Sequence, residues 1–392
     1  MISGRLDDIL PSPTMDLIAR VDALKREGID LVDLGAGQPD FPVPAPVIEA
    51  TTEALREGKT TYGPAGGIPP LREAVARRYN RIHGGAYGSG NVLIGSGAKG
   101  ALTYALGALV NPGDEVVVPS PYFVSYPYQV LLWGGVPRLM ECPESDRFFP
   151  TPERLEAAIG PKTRGLLLNS PHNPTGAVLS REALEELLDL AAGRGLFVIL
   201  DDVYNRFVYG GETAASISGL QPDPEDGRAF FVVGSCAKTF SMTGYRVGFL
   251  LGPAEAVAAA TRLQAHSITA VATFAQYGAV EALNREDELI APYIDEYAGR
   301  RTLLMDGLAS VPGMEAKEAP GAFFVFPNVG RILVERGMAS VNDLATYLLE
   351  EARVITVPGT AFGAEGHLRI SFAASRPAIE EGLLRMAAAL SS

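Results

Sequence analysis

Short apolar runs alternate with amphipathic segments over most of the chain. Runs rich in β-branched and aromatic residues predict buried strands, at Asn91–Ile94, Glu115–Pro119, Gly165–Asn169, Phe197–Leu200, Phe230–Val233 and Val247–Leu251. Segments with helical spacing of apolar residues lie around and between them, at Pro46–Glu57, Leu71–His83, Ala98–Val110, Tyr126–Trp133 and Arg181–Arg194. This alternation predicts an α/β fold with a mostly parallel central sheet and helices on both of its faces.

The C-terminal part of the chain predicts a second, smaller unit. A long polar helix over Tyr293–Ala309 leads into short strands and helices, which together suit a small α+β domain. We therefore predict an N-terminal arm that forms part of the small domain over residues 1–45, a large domain over 46–295, and the small C-terminal domain over 296–392.

Composition narrows the possible partners. The net charge of −13 argues against sequence-independent binding of nucleic acid, which needs a basic surface. Cys142 and Cys236 are too few for a disulfide framework and have no metal-ligand spacing. The N-terminus has acids and prolines where a signal peptide would be basic and then apolar, and no apolar run approaches the roughly 18 residues of a spanning helix. We expect a soluble cytoplasmic enzyme that binds small molecules, with no nucleic-acid or membrane partner.

A glycine-rich loop, Gly95–Gly100, separates a predicted strand from a predicted helix. Free amides at the start of a helix can bind a phosphate group. The same loop satisfies GxGxxG, the dinucleotide fingerprint, but the next strand ends in Pro119-Ser120-Pro121, where a dinucleotide site needs an acidic residue. The loop therefore predicts a phosphate site better than a dinucleotide site, and a purely structural turn is an alternative.

A lysine and a carboxylate follow two of the buried strands. Lys238 lies in GSCAKTFSMTGYRVGF, and an amine in such poor contact with water tends to lose its proton and become a nucleophile, as a Schiff base with an aldehyde cofactor requires. Asp201 ends an apolar strand, where a pyridinium nitrogen would be a suitable partner for its carboxylate. The alternatives are a surface lysine and a helix-capping aspartate.

Other strand ends add an aromatic ring, an amide and two guanidinium groups. Phe123 could stack on a flat cofactor, and Asn173, in SPHNPTG, is placed to hydrogen-bond a ligand. We interpret its neighbour His172 as structural. Arg246 and Arg369 suit a phosphate and a carboxylate, with structural salt bridges as the alternative for each. Ligands of open α/β sheets bind outside the carboxyl ends of the strands, where these groups collect.

The order of these segments resembles the fold-type I, pyridoxal-phosphate-dependent class I and II aminotransferases, and within them the bacterial aspartate aminotransferase branch. The resemblance runs from about Leu31 to the C-terminus through LGAGQPDF, TYGPAGGIPPLREA, SPYFVSYP, SPHNPTGAV, DDVY, SCAKTFSMTGYRVG, PGAFFVF, VPGTAFG and HLRISFA. It implies that the large domain binds pyridoxal 5'-phosphate and that the protein is a homodimer with shared active sites.

The resemblance also implies roles for individual residues. Lys238 would form the Schiff base and move the substrate proton, and Asp201 would pair with the ring nitrogen. The remaining cofactor contacts would come from Tyr204 and Asn173 at the phenolic oxygen, Phe123 on the ring face, Gly97, Ala98, Lys99, Ser235 and Arg246 at the phosphate, and Tyr62 at the phosphate of the neighbouring subunit. Arg369, the Gly37 amide and Asn173 would bind the substrate α-carboxylate.

Two positions qualify the resemblance. Phe123 stands where aspartate aminotransferases usually have Trp, so stacking is kept but an indole N–H is lost. Lys99 occupies a position that, in one branch, faces the distal carboxylate of acidic substrates, and it is also an ordinary residue for a helix start.

The predicted function is transfer of the amino group of an L-amino acid, with acidic donors as one option, to a 2-oxo acid. An elimination, replacement or cyclising enzyme of specialised metabolism would use the same cofactor residues, so this alternative stays open. A nicotinamide-dependent dehydrogenase using GxGxxG and a non-catalytic effector-binding domain are the alternatives from other classes.

Overall fold

A computed structural model describes residues 4–9, 15–83, 85–210 and 229–391. Residues 1–3 and 10–14 of the predicted N-terminal arm lie outside this part of the chain. The strands are β1 Val32–Asp33, β2 Val92–Ser96, β3 Glu115–Ser120, β4 Val136–Glu141, β5 Thr163–Asn169, β6 Phe197–Asp201, β7 Phe230–Ser235, β8 Val247–Leu251, β9 Phe324–Val325, β10 Val354–Ile355, β11 Val357–Pro358 and β12 Leu368–Ser371.

The helices surround these strands. They are α1 Met15–Arg26, α2 Ala45–Arg56, α3 Pro69–His83, α4 Gly97–Leu109, α5 Tyr126–Leu131, α6 Pro152–Ala158, α7 Arg181–Gly193, α8 Cys236–Thr239, α9 Ala254–Ser267, α10 Thr273–Asn284, α11 Glu286–Leu308, α12 Gly330–Arg336, α13 Val341–Glu350 and α14 Arg376–Ser391. In the described residues, no helix has the length and hydropathy required to cross a bilayer.

The central sheet has seven strands in the order β2-β8-β7-β6-β5-β3-β4. The neighbouring pairs β7-β6, β6-β5, β5-β3 and β3-β4 are parallel, whereas β8 is antiparallel to both β2 and β7. Apolar side chains from both faces of this sheet pack under helices, which is why its inner strands read as continuous apolar runs. The predicted fold class is confirmed.

A second apolar core lies around the smaller sheets. The antiparallel sheet β11-β12-β9 and the parallel pair β1-β10 pack with α11, α13 and α14 around Phe323, Phe324 and Phe372. Strand β1 joins this unit from the N-terminal side of the chain, where it pairs with β10. The domain bounds themselves stay a prediction.

Two elements show how the structure departs from the sequence expectation. Strand β4 was not predicted, because it is an edge strand on which Val136 and Leu139 are exposed and its apolar residues do not form a run. The predicted helix Tyr293–Ala309 begins seven residues earlier, at Glu286, with Pro292 inside it. Glu286 is buried and pairs with Arg78 of α3 at 2.6 Å, a contact between distant parts of the chain that secures the helix start.

Candidate active site

The carboxyl ends of β5, β6 and β7 open into a cavity of about 420 Å³ between the two units. Loops and helix starts that follow these strands, together with β12 and the loop after β1, supply its wall. The lining residues are Gly37, Gln38, Ala98, Lys99, Leu102, Phe123, Tyr126, Gln129, Asn169, Asn173, Asp201, Val203, Tyr204, Ser235, Ala237, Lys238, Thr243, Arg246 and Arg369.

Lys238 enters the cavity from α8, the one-turn helix that follows β7 directly. The hydroxyl oxygen of Ser235 caps this helix by accepting from the Ala237 amide at 2.9 Å. The Lys238 amine donates to the carbonyl of Gly37. Burial, and then the nearby Arg369 cation, lower the pKa of Lys238 to about 8, although the Asp201 carboxylate opposes both effects. The amine is thus able to lose its proton near neutral pH.

Asp201 ends β6 and is buried beneath the cavity. Its Oδ2 accepts from the hydroxyl of Tyr126 at 2.8 Å, and its Oδ1 accepts from the Val203 amide at 3.3 Å. Burial raises the pKa of Asp201 to about 6, and the hydrogen bond from Tyr126 works against this rise. A cationic partner in the cavity would offset the cost of keeping this carboxylate ionised.

The glycine-rich loop forms a cradle at the start of α4. Gly97 has φ +70°, and its amide donates to the carbonyl of Arg246 at 3.0 Å. A Cβ at Gly97 would lie 2.5 Å from the Arg246 guanidinium, so only glycine lets that side chain lie against the helix start. Arg246 bonds the carbonyls of Thr243 and Ser96, at 3.0 and 3.4 Å. Both are neutral acceptors, so the cation is not paired with an acid there.

Arg369 crosses the small-domain side of the cavity from β12. Its Nη1 donates to Asn173 Oδ1 at 3.1 Å and its Nη2 to the Gly35 carbonyl at 2.8 Å, while the buried Nε has no partner. The rings of Phe324 and Phe362 lie 4.4 and 5.0 Å from the guanidinium carbon. Burial lowers the pKa of Arg369 to about 10. A buried guanidinium with an unused N–H is suited to a carboxylate ligand.

Asn173 and Tyr204 lie between Asp201 and Arg369. The backbone N–H of Asn173 donates to Asn169 Oδ1 at 2.8 Å, which holds the loop after β5 against the strand end. Tyr204 is buried, and this burial raises the pKa of its phenol well above the ordinary value. The phenol therefore stays protonated and can donate to an anionic oxygen.

Phe123 and Lys99 form the opposite side of the cavity. The Lys99 amine lies 5.4 Å from the centroid of the Phe123 ring. Burial, and then the nearby Arg246 cation, lower the pKa of Lys99.

All the predicted site residues line the cavity except Gly97 and Tyr62. Gly97 lies directly behind Ala98 in the cradle, whereas the Tyr62 side chain is 91% exposed and does not reach this cavity. His172 is buried, with its Nδ1 2.7 Å from Thr175 Oγ1, in agreement with its structural interpretation.

The cavity also contains residues that sequence reasoning missed. They are Gln38, Asn169, Tyr126, Gln129 and Thr243, among others. Tyr126 was assigned only to a helix, although its position three residues after Phe123, at the same strand exit, was a signal that it could reach the site.

The charges of the lining residues fit pyridoxal 5'-phosphate. Lys99, Lys238, Arg246 and Arg369 face the cavity with a single carboxylate, Asp201. Throughout the described ranges, no Asp or Glu side chain forms an ion pair with any of these four cations, so the salt-bridge alternative for the two arginines is not supported. An anionic phosphate at the cradle and a cationic ring nitrogen at Asp201 would complement the buried charges.

Comparison with known proteins gives the same answer. Residues 29–385 match the family model described as "Aminotransferase class I and II". The chain belongs to this family. It is 36% identical over 385 residues to an aspartate aminotransferase of Geobacillus stearothermophilus, with 98% of each chain covered, and 38% identical over 392 residues to the aspartate/prephenate aminotransferase of Thermus thermophilus, covering 99% of this chain and 98% of the relative.

Solved structures of aminotransferases superpose closely on this one. A Thermus thermophilus aspartate aminotransferase structure has a TM-score of 0.92 at 38% identity, with 99% of each chain covered. This aminotransferase therefore depends on pyridoxal 5'-phosphate and acts on an amino acid and a 2-oxo acid, which confirms the predicted family, cofactor and reaction. The nicotinamide-dependent and non-catalytic alternatives have no support, and the names of the relatives favour amino transfer over elimination, replacement or cyclisation.

Proposed function

We propose that this aminotransferase takes its amino group from an L-amino acid with a second, distal carboxylate. The observation that carries the proposal is the excess of four cationic side chains over one carboxylate around the cavity. One cation, Arg246, would bind the cofactor phosphate with the Ala98 amide and Ser235, at a cradle in which Gly97 leaves room for the guanidinium. Arg369 would bind the α-carboxylate with Asn173 and the Gly37 amide, which leaves Lys99 for the distal carboxylate.

Bound pyridoxal 5'-phosphate would supply an electron sink that makes the substrate α-proton acidic. Lys238 would hold the cofactor and then act as the base at the α-carbon, for which its lowered pKa of about 8 is suited. Asp201 would bind the ring nitrogen, Phe123 would cover one face of the ring, and Tyr204 with Asn173 would donate to the phenolic oxygen. The backbone amide of Lys99, in the first turn of α4, would also help to hold the phosphate.

Two relatives support an acidic substrate. The Geobacillus and Thermus proteins are named for aspartate, and a Thermus aspartate aminotransferase has been solved with maleate, a dicarboxylate, at a TM-score of 0.92 to this structure.

The test compares donors in the wild-type enzyme and in Lys99→Ala. We expect kcat/KM for L-aspartate to fall about 10- to 100-fold in the variant, the effect of losing a hydrogen bond to a charged group, while L-alanine and L-phenylalanine change little. Lys162→Ala is the matched control on a distant lysine. Equal losses for all donors would instead assign Lys99 to the cofactor alone, and no loss would remove it from the site.

We also propose a homodimer in which Tyr62 reaches the neighbouring site. Its side chain is 91% exposed, on the loop between α2 and α3, and so is free to contact a second copy. Mixing Lys238→Ala subunits with Tyr62→Ala subunits tests this. In a mixed dimer, one site would regain both Lys238 and a partner's intact tyrosine, so activity should recover well above that of either variant. A sedimentation mass of one chain, or mixing without recovery, would contradict shared sites.

A cytoplasmic location is a further proposal. Cys142 and Cys236 are buried free thiols, which suit a reducing compartment. Fractionation of cells that express the native protein would test it.

A further inference from the structure

Tyr126 links two sides of the active-site cavity. It begins α5, is 2% exposed, and donates its hydroxyl to Asp201 Oδ2 at 2.8 Å. Its ring also meets the ring of Phe123 edge-on, with centroids 5.5 Å apart and planes at 72°. One side chain therefore contacts both the carboxylate assigned to the cofactor ring nitrogen and the ring assigned to the cofactor face.

Asp201 has few other groups to hold it. Within the described residues, Tyr126 is the one side chain that donates a hydrogen bond to this carboxylate, and the Val203 amide, at 3.3 Å, is a longer and weaker donor. The other titratable groups that face Asp201 are Lys238, which favours its ionised form, and Asp202 and Tyr204, whose own pKa values the Asp201 charge helps to raise.

We propose that Tyr126 is a positioning residue for Asp201, which keeps the carboxylate ionised and fixed in the orientation that receives the cofactor ring nitrogen. The inference rests on the proposed role of Asp201. The phenol stays protonated, because burial raises the pKa of Tyr126 well above its ordinary value, so it donates over the whole working pH range. The neutral Tyr126 hydroxyl offsets part of the free-energy cost of burying the Asp201 charge. Because it carries no positive charge, it does not replace the ring nitrogen as the cationic partner of this carboxylate.

Removing the hydroxyl should change the cofactor-free protein in a pH-dependent way. Because burial raises the pKa of Asp201 to about 6 from the ordinary 3.8, its contribution to stability is present at low pH and is lost as the pH rises through 6. In Tyr126→Phe that pKa rises further, so the loss extends to higher pH. We expect the urea midpoint of the cofactor-free variant to fall more, relative to wild type, at pH 8 than at pH 5.

Three variants separate this effect from simple packing. Tyr128→Phe, on the same helix, is the matched control and should show no such pH dependence. In the Asp201→Asn background, Tyr126→Phe should also lose its pH-dependent effect, since no carboxylate remains to be ionised. A pH-independent loss in Tyr126→Phe, or the same loss in the Asn background, would overturn the inference.

Cofactor binding supplies the second readout. We expect the dissociation constant of pyridoxal 5'-phosphate, measured by titration of the cofactor-free protein at pH 8, to rise about 10- to 100-fold in Tyr126→Phe. Wild-type affinity in this variant would overturn the positioning role. If Asp201→Asn also bound the cofactor at wild-type affinity, the proposed role of Asp201 would be wrong, and the inference would fail with it. If only Tyr126→Phe bound at wild-type affinity, the role of the hydrogen bond alone would be wrong.

Discussion

A single methyl group added to β8 should disturb the phosphate cradle. Gly248 lies in the sheet between β2 and β7, paired with Gly95 and Ser235. A Cβ at this position would lie 2.2 Å from the carbonyl carbon of Gly97 and 2.3 Å from the amide nitrogen of Ala98. Both are backbone atoms of the first turn of α4, so no side-chain rotation can relieve the contact.

The size of the effect follows from these distances. The 2.2 Å contact is about 1.2 Å shorter than the 3.4 Å at which ordinary contact begins. Because β8 is hydrogen-bonded on both sides, the start of α4 must give way by a similar distance. Displacement of about 1 Å in a binding constellation costs about 100-fold, and overpacking costs about 1–3 kcal/mol of stability.

The assay is titration of cofactor-free Gly248→Ala with pyridoxal 5'-phosphate. Trp133, the one tryptophan, reports on α4 through its indole N–H, which donates to the Thr103 carbonyl at 2.7 Å. We expect the dissociation constant to rise about 100-fold. Gly244→Ala is the control, because a Cβ there meets nothing within 4 Å. If Gly248→Ala binds the cofactor as tightly as Gly244→Ala, the first turn of α4 does not carry the phosphate.

Three further predictions concern the charged groups of the cavity. Lys238→Ala should lower the transfer rate by at least about 1,000-fold in a 2-oxo-acid product assay, and near-normal turnover would end the proposed mechanism. In cofactor-free protein, acylation of the Lys238 amine, followed by peptide mass spectrometry, should show a midpoint near pH 8, and Asp201→Asn should move it lower because the carboxylate favours the ammonium. A midpoint that moves higher would contradict this sign. Arg369→Lys should raise KM about 10- to 100-fold for both donor and acceptor, since a bidentate contact is lost, and unchanged KM values would exclude the α-carboxylate role.

Much of the site could be predicted from sequence because its residues directly follow recognisable strands. Asp201 ends β6, Lys238 is three residues beyond β7, and Asn173 follows β5 in a turn-forming segment. Parallel strands direct their carboxyl ends to one edge of the sheet, so local patterns were enough to predict which side chains would meet there. The fold class could also be predicted from local patterns, because strands buried on both faces of the sheet are continuous apolar runs.

Other features depend on contacts between distant parts of the chain, and only the tertiary structure decided them. The bond from Tyr126 to Asp201 spans 75 residues, and the ion pair that secures the start of α11, from Arg78 to Glu286, spans 208. Strand β4 exists because β3 offers it a partner, although its own residues are largely exposed. Sequence periodicity records how each segment is buried, whereas the partner of a buried polar group depends on how segments pack, which no local pattern specifies.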